Sequence, residues 1–233
     1  MKKILFVTNR YPEIKNYSGD TLLAYNIIKY LRKKNTVDVV CTHNINKKYS
    51  INKQKNGKIY LYKKNNILVK IFYTFMSIVK LKPMQIGFFY SKEIKKFLFI
   101  NHKNYQTIIF HTFRSAQYLP VNFKGKKILE MTDIMSDNYD QTKKKLNIFN
   151  PLYFLYSIES FLLKKYEIYC FKTFNKIVLI ERADVKSLLK IFKKKIITIN
   201  IGIDLKKKIF KFKKKNSLII FIGNVGYLPN KYA

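Results

Sequence analysis

The residues best suited to chemistry in this 233-residue chain fall into two stretches. One runs His111-Thr112-Phe113-Arg114 and, after a loop, resumes as Glu130-Met131-Thr132-Asp133 and continues to Asp137. An imidazole, a guanidinium and carboxylates can shuttle protons, grip an anion or orient hydroxyl groups. His111 is accordingly the catalytic candidate, with Arg114, Asp133 and Asp137 as cleft candidates. Bland readings stand beside these: His111 reads equally as a satisfied core histidine, and Asp133 taken alone reads as a helix cap. The other stretch is Ser18-Gly19, just ahead of Asp20. A small pair at a helix start lets backbone N–H groups approach an anion, which the helix dipole favours, although a plain turn at Gly19 explains the pair as well. Neither GxGxxG nor GxxxxGK[ST] occurs, and Cys41 and Cys170 lack any paired metal spacing. No metal site and no resident cofactor are expected.

These side chains act together only if the fold brings them to one edge. Ile4 to Thr8 is a continuous apolar run, as in a strand covered on both faces. With Asp20 as its expected cap, a helix follows through Leu23, Ile27 and Tyr30 to Lys33-Lys34, and Val37 to Cys41 is the next strand. Strands at Lys58 to Tyr62, Thr107 to His111, Lys127 to Met131, Lys176 to Ile180 and Lys195 to Ile199 alternate with helices at Ile67 to Leu81, Ser91 to Asn101, Pro151 to about Phe171 and Ala183 to Ile191. That alternation predicts a doubly wound α/β domain with a mostly parallel, Rossmann-like sheet. Ligands in such sheets bind at the carboxyl ends of the strands, where His111 and Asp133 stand. Residues 1–203 are expected to form this domain, 204–216 a lysine-rich linker, and 217–233 the first strand and loop of a truncated second domain.

Composition narrows the classes further. The chain is 48% hydrophobic and 16% aromatic, enough to bury a core, and carries a formal charge of +34. The excess is lysine: only Arg10, Arg32, Arg114 and Arg182 are arginines among 47 basic residues. Arginine is preferred for bidentate phosphate and base-edge recognition, whereas Lys, Asn, Ile, Tyr and Phe are encoded by A/T-rich codons, so codon bias accounts for much of the charge. The start, Met1 to Thr8, has too few apolar residues for a signal-peptide core. Ile71 to Val79 and Pro151 to Leu163 fall short of the roughly 18 apolar residues of a membrane span. A cytoplasmic protein is expected.

Several segments, in order, resemble glycosyltransferase family 4, and most closely its branch for exopolysaccharide and cell-envelope synthesis. They are FVTNRYP followed by SGD, KPMQIGFFYS, HTFRSAQYL, LEMTDIMSDNY, IVLIERADV, INIGID and FIGNVGYLPNKYA. The resemblance implies a retaining GT-B enzyme of two Rossmann-like domains, of which this chain is the acceptor-side one, inactive as a fragment. It implies a nucleotide-sugar co-substrate and a saccharide or lipid-linked acceptor. Ser18, Gly19 and Gly223 match positions that approach the donor diphosphate, and His111 matches a histidine that contacts the sugar. Ser18 stands where relatives have glycine, Glu130 where aspartate is common, and the hinge reads Asn200 to Asp204 with an inserted Ile201. The rival reading is a lysine-rich nucleic-acid-binding α/β protein, against which stands the lack of any RRM, KH or helix-turn-helix signature, and no nucleic-acid partner is expected. Lys64 to Lys82 and Pro151 to Lys172 interleave lysine with large apolar residues, which suits peripheral contact with an anionic membrane or, especially for the second, a core helix with a basic outer face.

Overall fold

The structure, a computed structural model, describes residues 2–14, 18–180, 189–200 and 202. Gly223, the 204–216 linker, the strand expected from Ser217 and most of the helix expected from Ala183 lie outside the described residues. Strand β1 (Lys3–Val7) sits mid-sheet and is apolar throughout after Lys3 because both faces are covered. Around it run β2 (Thr36–His43), β3 (Tyr49–Gln54), β4 (Gly57–Lys63), β5 (Thr107–His111), β6 (Lys126–Thr132), β7 (Lys176–Leu179) and β8 (Ile196–Thr198). The order is β3-β4-β2-β1-β5-β6-β7-β8, and every neighbouring pair except β3 with β4 is parallel. The doubly wound α/β reading holds. After β1 the chain steps outward to β2 and β4, then returns to β5 on the other side, so the winding reverses between β1 and β5.

Alternation along β1 divides the core. Ile4 and Phe6 pack with Ala24 and Ile28 of α1 (Gly19–Leu31), while Leu5 and Val7 join the cluster holding Ile94, Phe97 and Leu98 of α4 (Lys92–Asn101) and Leu163 and Phe171 of α6 (Pro151–Thr173). Helices thus cover both faces. Their starts follow local chemistry: Asn66 accepts from Val69 N–H ahead of α2 (Ile67–Val79), Ser91 from Ile94 N–H ahead of α4, and Asn150 from Leu152 N–H with Pro151 opening α6. Helix α7 (Leu189–Phe192) is what is described of the helix expected from Ala183, and its Phe192 ring stacks on Phe171.

Three elements depart from the sequence expectation. The β3–β4 hairpin is absent from it, because β3 is an exposed, polar edge strand without apolar alternation. Its turn is legible, since Asn56 has φ of 62° and a Cβ on Gly57 would stand 2.0 Å from the Val37 carbonyl oxygen. A short helix, α3 (Met84–Phe88), lies so close to α2 that a Cβ on Gly87 would stand 2.1 Å from the Tyr73 carbonyl oxygen. Helix α5 (Met135–Lys144) follows β6, but its cap is Ile134 and not Asp133, just as α1 is capped by Ser18 and not Asp20. The core reading of α6 holds for Leu162, Leu163, Tyr166, Cys170 and Phe171 and fails for Leu152, Phe154, Leu155 and Ile158, which are exposed. Among the described residues no helix is long and apolar enough to cross a membrane.

Helix α6 carries two buried carboxylates that organise its neighbours. Glu159 accepts the Met84 and Gln85 N–H groups at the start of α3, at 2.7 and 3.3 Å. Glu167 accepts the Ser136 hydroxyl at 2.6 Å and the Ser136 N–H at 3.1 Å. Burial pushes the Glu167 carboxyl up to about 7, against the opposing pull of those hydrogen bonds. The folded protein therefore holds a proton that the unfolded chain releases near 4.5, and stability falls as pH rises from there to about 7. Glu167→Gln should remove that fall, gaining of the order of 3 kcal/mol on the parent between about pH 4 and about pH 8 in urea denaturation. Parallel pH profiles for parent and variant would contradict it.

Candidate functional site

The site lies where the winding reverses, outside the carboxyl ends of β1 and β5, the crevice in which open α/β sheets bind ligands. Leaving β1, the chain is pinned by Thr8 N–H donating to the Val40 carbonyl at 3.1 Å and by the Thr42 hydroxyl donating to the Asn9 carbonyl at 2.7 Å. Arg10 then reaches the start of α1, with Nη1 3.3 Å from both Ser18 Oγ and Asp20 Oδ1. The Ser18 hydroxyl donates to Asp20 Oδ1, and the Ser18 N–H donates to Thr21 Oγ1 at 3.0 Å. Burial alone would raise the Asp20 carboxyl, but the Ser18 hydroxyl, Arg10 and His111 together hold it below its ordinary range. Gly19 opens the helix, and a Cβ there would meet nothing within 4 Å.

His111, the last residue of β5, is 1% exposed. Its Nε2 lies 2.9 Å from the Asp20 carbonyl oxygen, so that nitrogen carries a proton and donates. Its Nδ1 lies 2.5 Å from Glu130 Oε2 on β6, off the line of a well-aligned hydrogen bond, and the ring stacks on Phe6. The other Glu130 oxygen accepts from the Thr132 hydroxyl at 2.8 Å. The next residues are strained: Thr112 has φ of 64° and Thr132 φ of 68°, unusual for β-branched side chains. Such strain concentrates where surrounding structure fixes a functional edge. His111 therefore shares an edge with Ser18-Gly19 but sits behind it, touching α1 through a main-chain carbonyl.

Arg114 follows in a 3₁₀ turn, Phe113–Tyr118. Its guanidinium donates to Gln85 Oε1 and lies over the Phe89 ring at 4.9 Å, while Arg10 lies over the same ring at 5.7 Å. Asp133 stands in the turn after β6, its N–H donating to the Met131 carbonyl at 2.8 Å, and Asp137 in the first turn of α5. Both are farther along the same edge, beyond β5.

The cleft itself is built mostly from residues that spacing does not mark. About 510 Å³ in volume, it is bounded by Arg10 and Ser18, by His43 at the end of β2, by Lys64 after β4, by Lys70 of α2 and by Phe89 after α3. Of the sequence candidates among the described residues, Ser18 alone lines it. The signal is positional, since Asn9-Arg10 stand one residue past the end of β1 and Lys64-Asn65 directly follow β4.

No family model matches the chain, and no curated protein does. Among solved structures it is similar to an alpha,alpha-trehalose 6-phosphate synthase from Burkholderia multivorans, with 9% identity, a TM-score of 0.46, and coverage of 82% of this chain and 43% of that one. It is also similar to a UDP-forming alpha,alpha-trehalose-phosphate synthase from Burkholderia vietnamiensis, with 10% identity, a TM-score of 0.48, and coverage of 88% and 50%. The chain spans half or less of the length of either.

Removing the His111 imidazole strands the Glu130 carboxylate in a dry site, so His111→Leu should cost about 3–5 kcal/mol. The double variant His111→Leu/Glu130→Leu should recover most of that loss in urea denaturation. Additive losses would show that the two side chains are not coupled.

Proposed function

We propose that this chain is the acceptor-side half of a GT-B glycosyltransferase of family 4 type, taking a sugar from a nucleotide-sugar donor to an envelope or exopolysaccharide acceptor. The observation that carries the reading is the juxtaposition of the α1 start, Arg10 and the aromatic, cation-lined cleft over the ends of β1, β2 and β4, beside the reversal of the sheet. The ordered motif resemblance supports it independently. Retaining transfer passes through an oxocarbenium-like state while charge develops on the leaving diphosphate, and preorganised N–H groups and cations stabilise that charge. In this reading Gly19 offers its N–H group, Ser18 holds the turn through its bonds to Thr21 and Asp20, Gly223 approaches the diphosphate from the donor side, and His111 positions the α1 start through the Asp20 carbonyl.

The same reading places the protein on an anionic membrane. Helix α2 turns Ile67, Leu68, Ile71, Phe72 and Phe75 to solvent, and the first half of α6 adds Leu152, Phe154, Leu155 and Ile158. Exposed lysines such as Lys80, Lys82, Lys164 and Lys165 lie on or next to these helices, the pattern of an interfacial surface. A nucleic-acid role is disfavoured because exposed lysines are spread over both layers, from Lys29 on α1 and Lys33 just after it to Lys92 and Lys96 on α4, without forming one stripe.

In the protein carrying this chain, Gly19→Ala should leave the melting temperature unchanged and lower kcat/KM for transfer from a labelled nucleotide sugar by roughly tenfold or more. Unchanged transfer would remove Gly19 from the site, and failure to transfer from any donor of a broad panel would remove the function. On flotation, Phe72→Ser/Phe75→Ser should release the chain from phosphatidylglycerol vesicles, whereas equal binding of the variant would defeat the membrane reading.

A further inference from the structure

Asn9 is 6% exposed, lines the cleft, and has no hydrogen-bond partner for either end of its side-chain amide. Buried amides are almost always satisfied, so an orphaned one in a cleft wall marks a place where a ligand completes the pairing. Its backbone is not loose, since the Thr42 hydroxyl holds the Asn9 carbonyl at 2.7 Å.

Around Asn9 the charges do not balance. Arg10, Lys64 and Lys70 all line the cleft; among the described residues Glu13 is the one carboxylate lining it, and Asp20, behind the lining, pairs with Arg10 at 3.3 Å, which still leaves the cations in excess. Burial pulls the Lys64 ammonium below its ordinary value, and Arg10 and Lys70 push it further the same way, with Glu13 opposing. Cations that repel one another in a half-buried cleft are relieved by an anion. The remaining wall is aromatic: Tyr11 packs on His43 with ring centroids 4.8 Å apart, and Lys70 lies over Phe88 at 4.9 Å. Aromatic faces suit the apolar side of a sugar ring, and a volume of about 510 Å³ suits a small ligand.

We infer that this cleft binds the phosphate of a phosphorylated sugar acceptor, with Arg10, Lys64 and Lys70 around the phosphate and the Asn9 amide on the sugar or a phosphate oxygen. The inference rests on the acceptor-side reading and narrows it to anionic acceptors. The phosphate could belong to a water-soluble sugar phosphate or to a lipid-linked one; Lys70 shares α2 with the exposed Ile71, Phe72 and Phe75, so a lipid carrier could lie alongside. A second hollow of about 580 Å³, lined by Lys29, Arg32, Lys33 and Lys55 and by no carboxylate among the described residues, is more basic still, but it contains no orphaned buried amide and its Arg32 is committed to the Val37 carbonyl. It serves as the internal control.

Calorimetric titration of the 233-residue chain with glucose 6-phosphate, glucose and inorganic phosphate tests this. Glucose 6-phosphate should bind at least roughly tenfold more tightly than glucose, and Lys64→Gln/Lys70→Gln should remove that advantage. Lys29→Gln/Lys33→Gln should change it less than about twofold, as the same charge is lost elsewhere. Asn9→Asp, which aims a carboxylate into the cleft, should abolish phosphate binding, and Lys70→Gln alone on the α2 surface gives a reading should the double variant not fold. Phosphatidylcholine vesicles carrying a polyprenyl phosphate, compared with vesicles without it, separate the lipid-linked source from the soluble one. Equal affinity for glucose and glucose 6-phosphate, equal losses in the two lysine double variants, or no binding of either phosphate probe would overturn the inference. Transfer to a neutral acceptor by the protein carrying this chain would overturn it while leaving the transferase reading intact, and phosphate binding without transfer would do the reverse.

Discussion

A buried imidazole held between the Glu130 carboxylate and the Asp20 carbonyl joins β5, β6 and the first turn of α1, and the edge of the sheet takes its shape from that linkage. Neither partner is dispensable alone. Without His111 the buried Glu130 carboxylate loses the imidazole beside its Oε2, and without Glu130 the ring loses what holds its Nδ1 side. Because the ring donates to a main-chain carbonyl at the second residue of α1, it fixes where that helix begins, and with it the Ser18 cap, Gly19 and the Arg10 contacts. Thr112, directly after β5, and Thr132, the last residue of β6, stand at the two strand ends so joined, which locates the strain at the same joint.

Charge is organised differently in the two halves of this edge. Behind the α1 start it is paired: Asp20 with Arg10 and Ser18, His111 with Glu130. In front, over the ends of β1, β2 and β4, the cations outnumber the acids and an amide stands unsatisfied. The paired half reads as support and the unpaired half as a receptor. Arg114 and Arg10 share the Phe89 ring, which links the two halves.

The fold was legible wherever burial writes a pattern into the chain. Thr107–His111 reads as a strand because four of its five residues are buried, and Pro151 after Asn150 marks the start of α6 whatever it packs against. Tyr49–Gln54 is illegible because an exposed edge strand needs no apolar alternation, and α3 because it is only five residues long and held by Glu159 from 75 positions away. The candidate site was half legible. Its position at the strand ends follows from topology, and Ser18, Gly19 and His111 stand at that edge. The cleft-lining set of Asn9, Lys64, Lys70 and Phe89 comes from four different elements and loops, each residue ordinary in its own neighbourhood. Their meaning lies in convergence, which spacing along one chain does not record.

The central claim is that ligands of this protein meet it at the carboxyl ends of β1, β2 and β4. Amide hydrogen exchange of the chain with and without saturating glucose 6-phosphate tests that location directly. The account predicts slowed exchange confined to residues 8–13, 18–21, 42–44, 64–70 and 88–91, with the second hollow around Lys29 and Lys55 unchanged. Protection centred on that second hollow, or spread evenly over the lysine-rich surface, would contradict it.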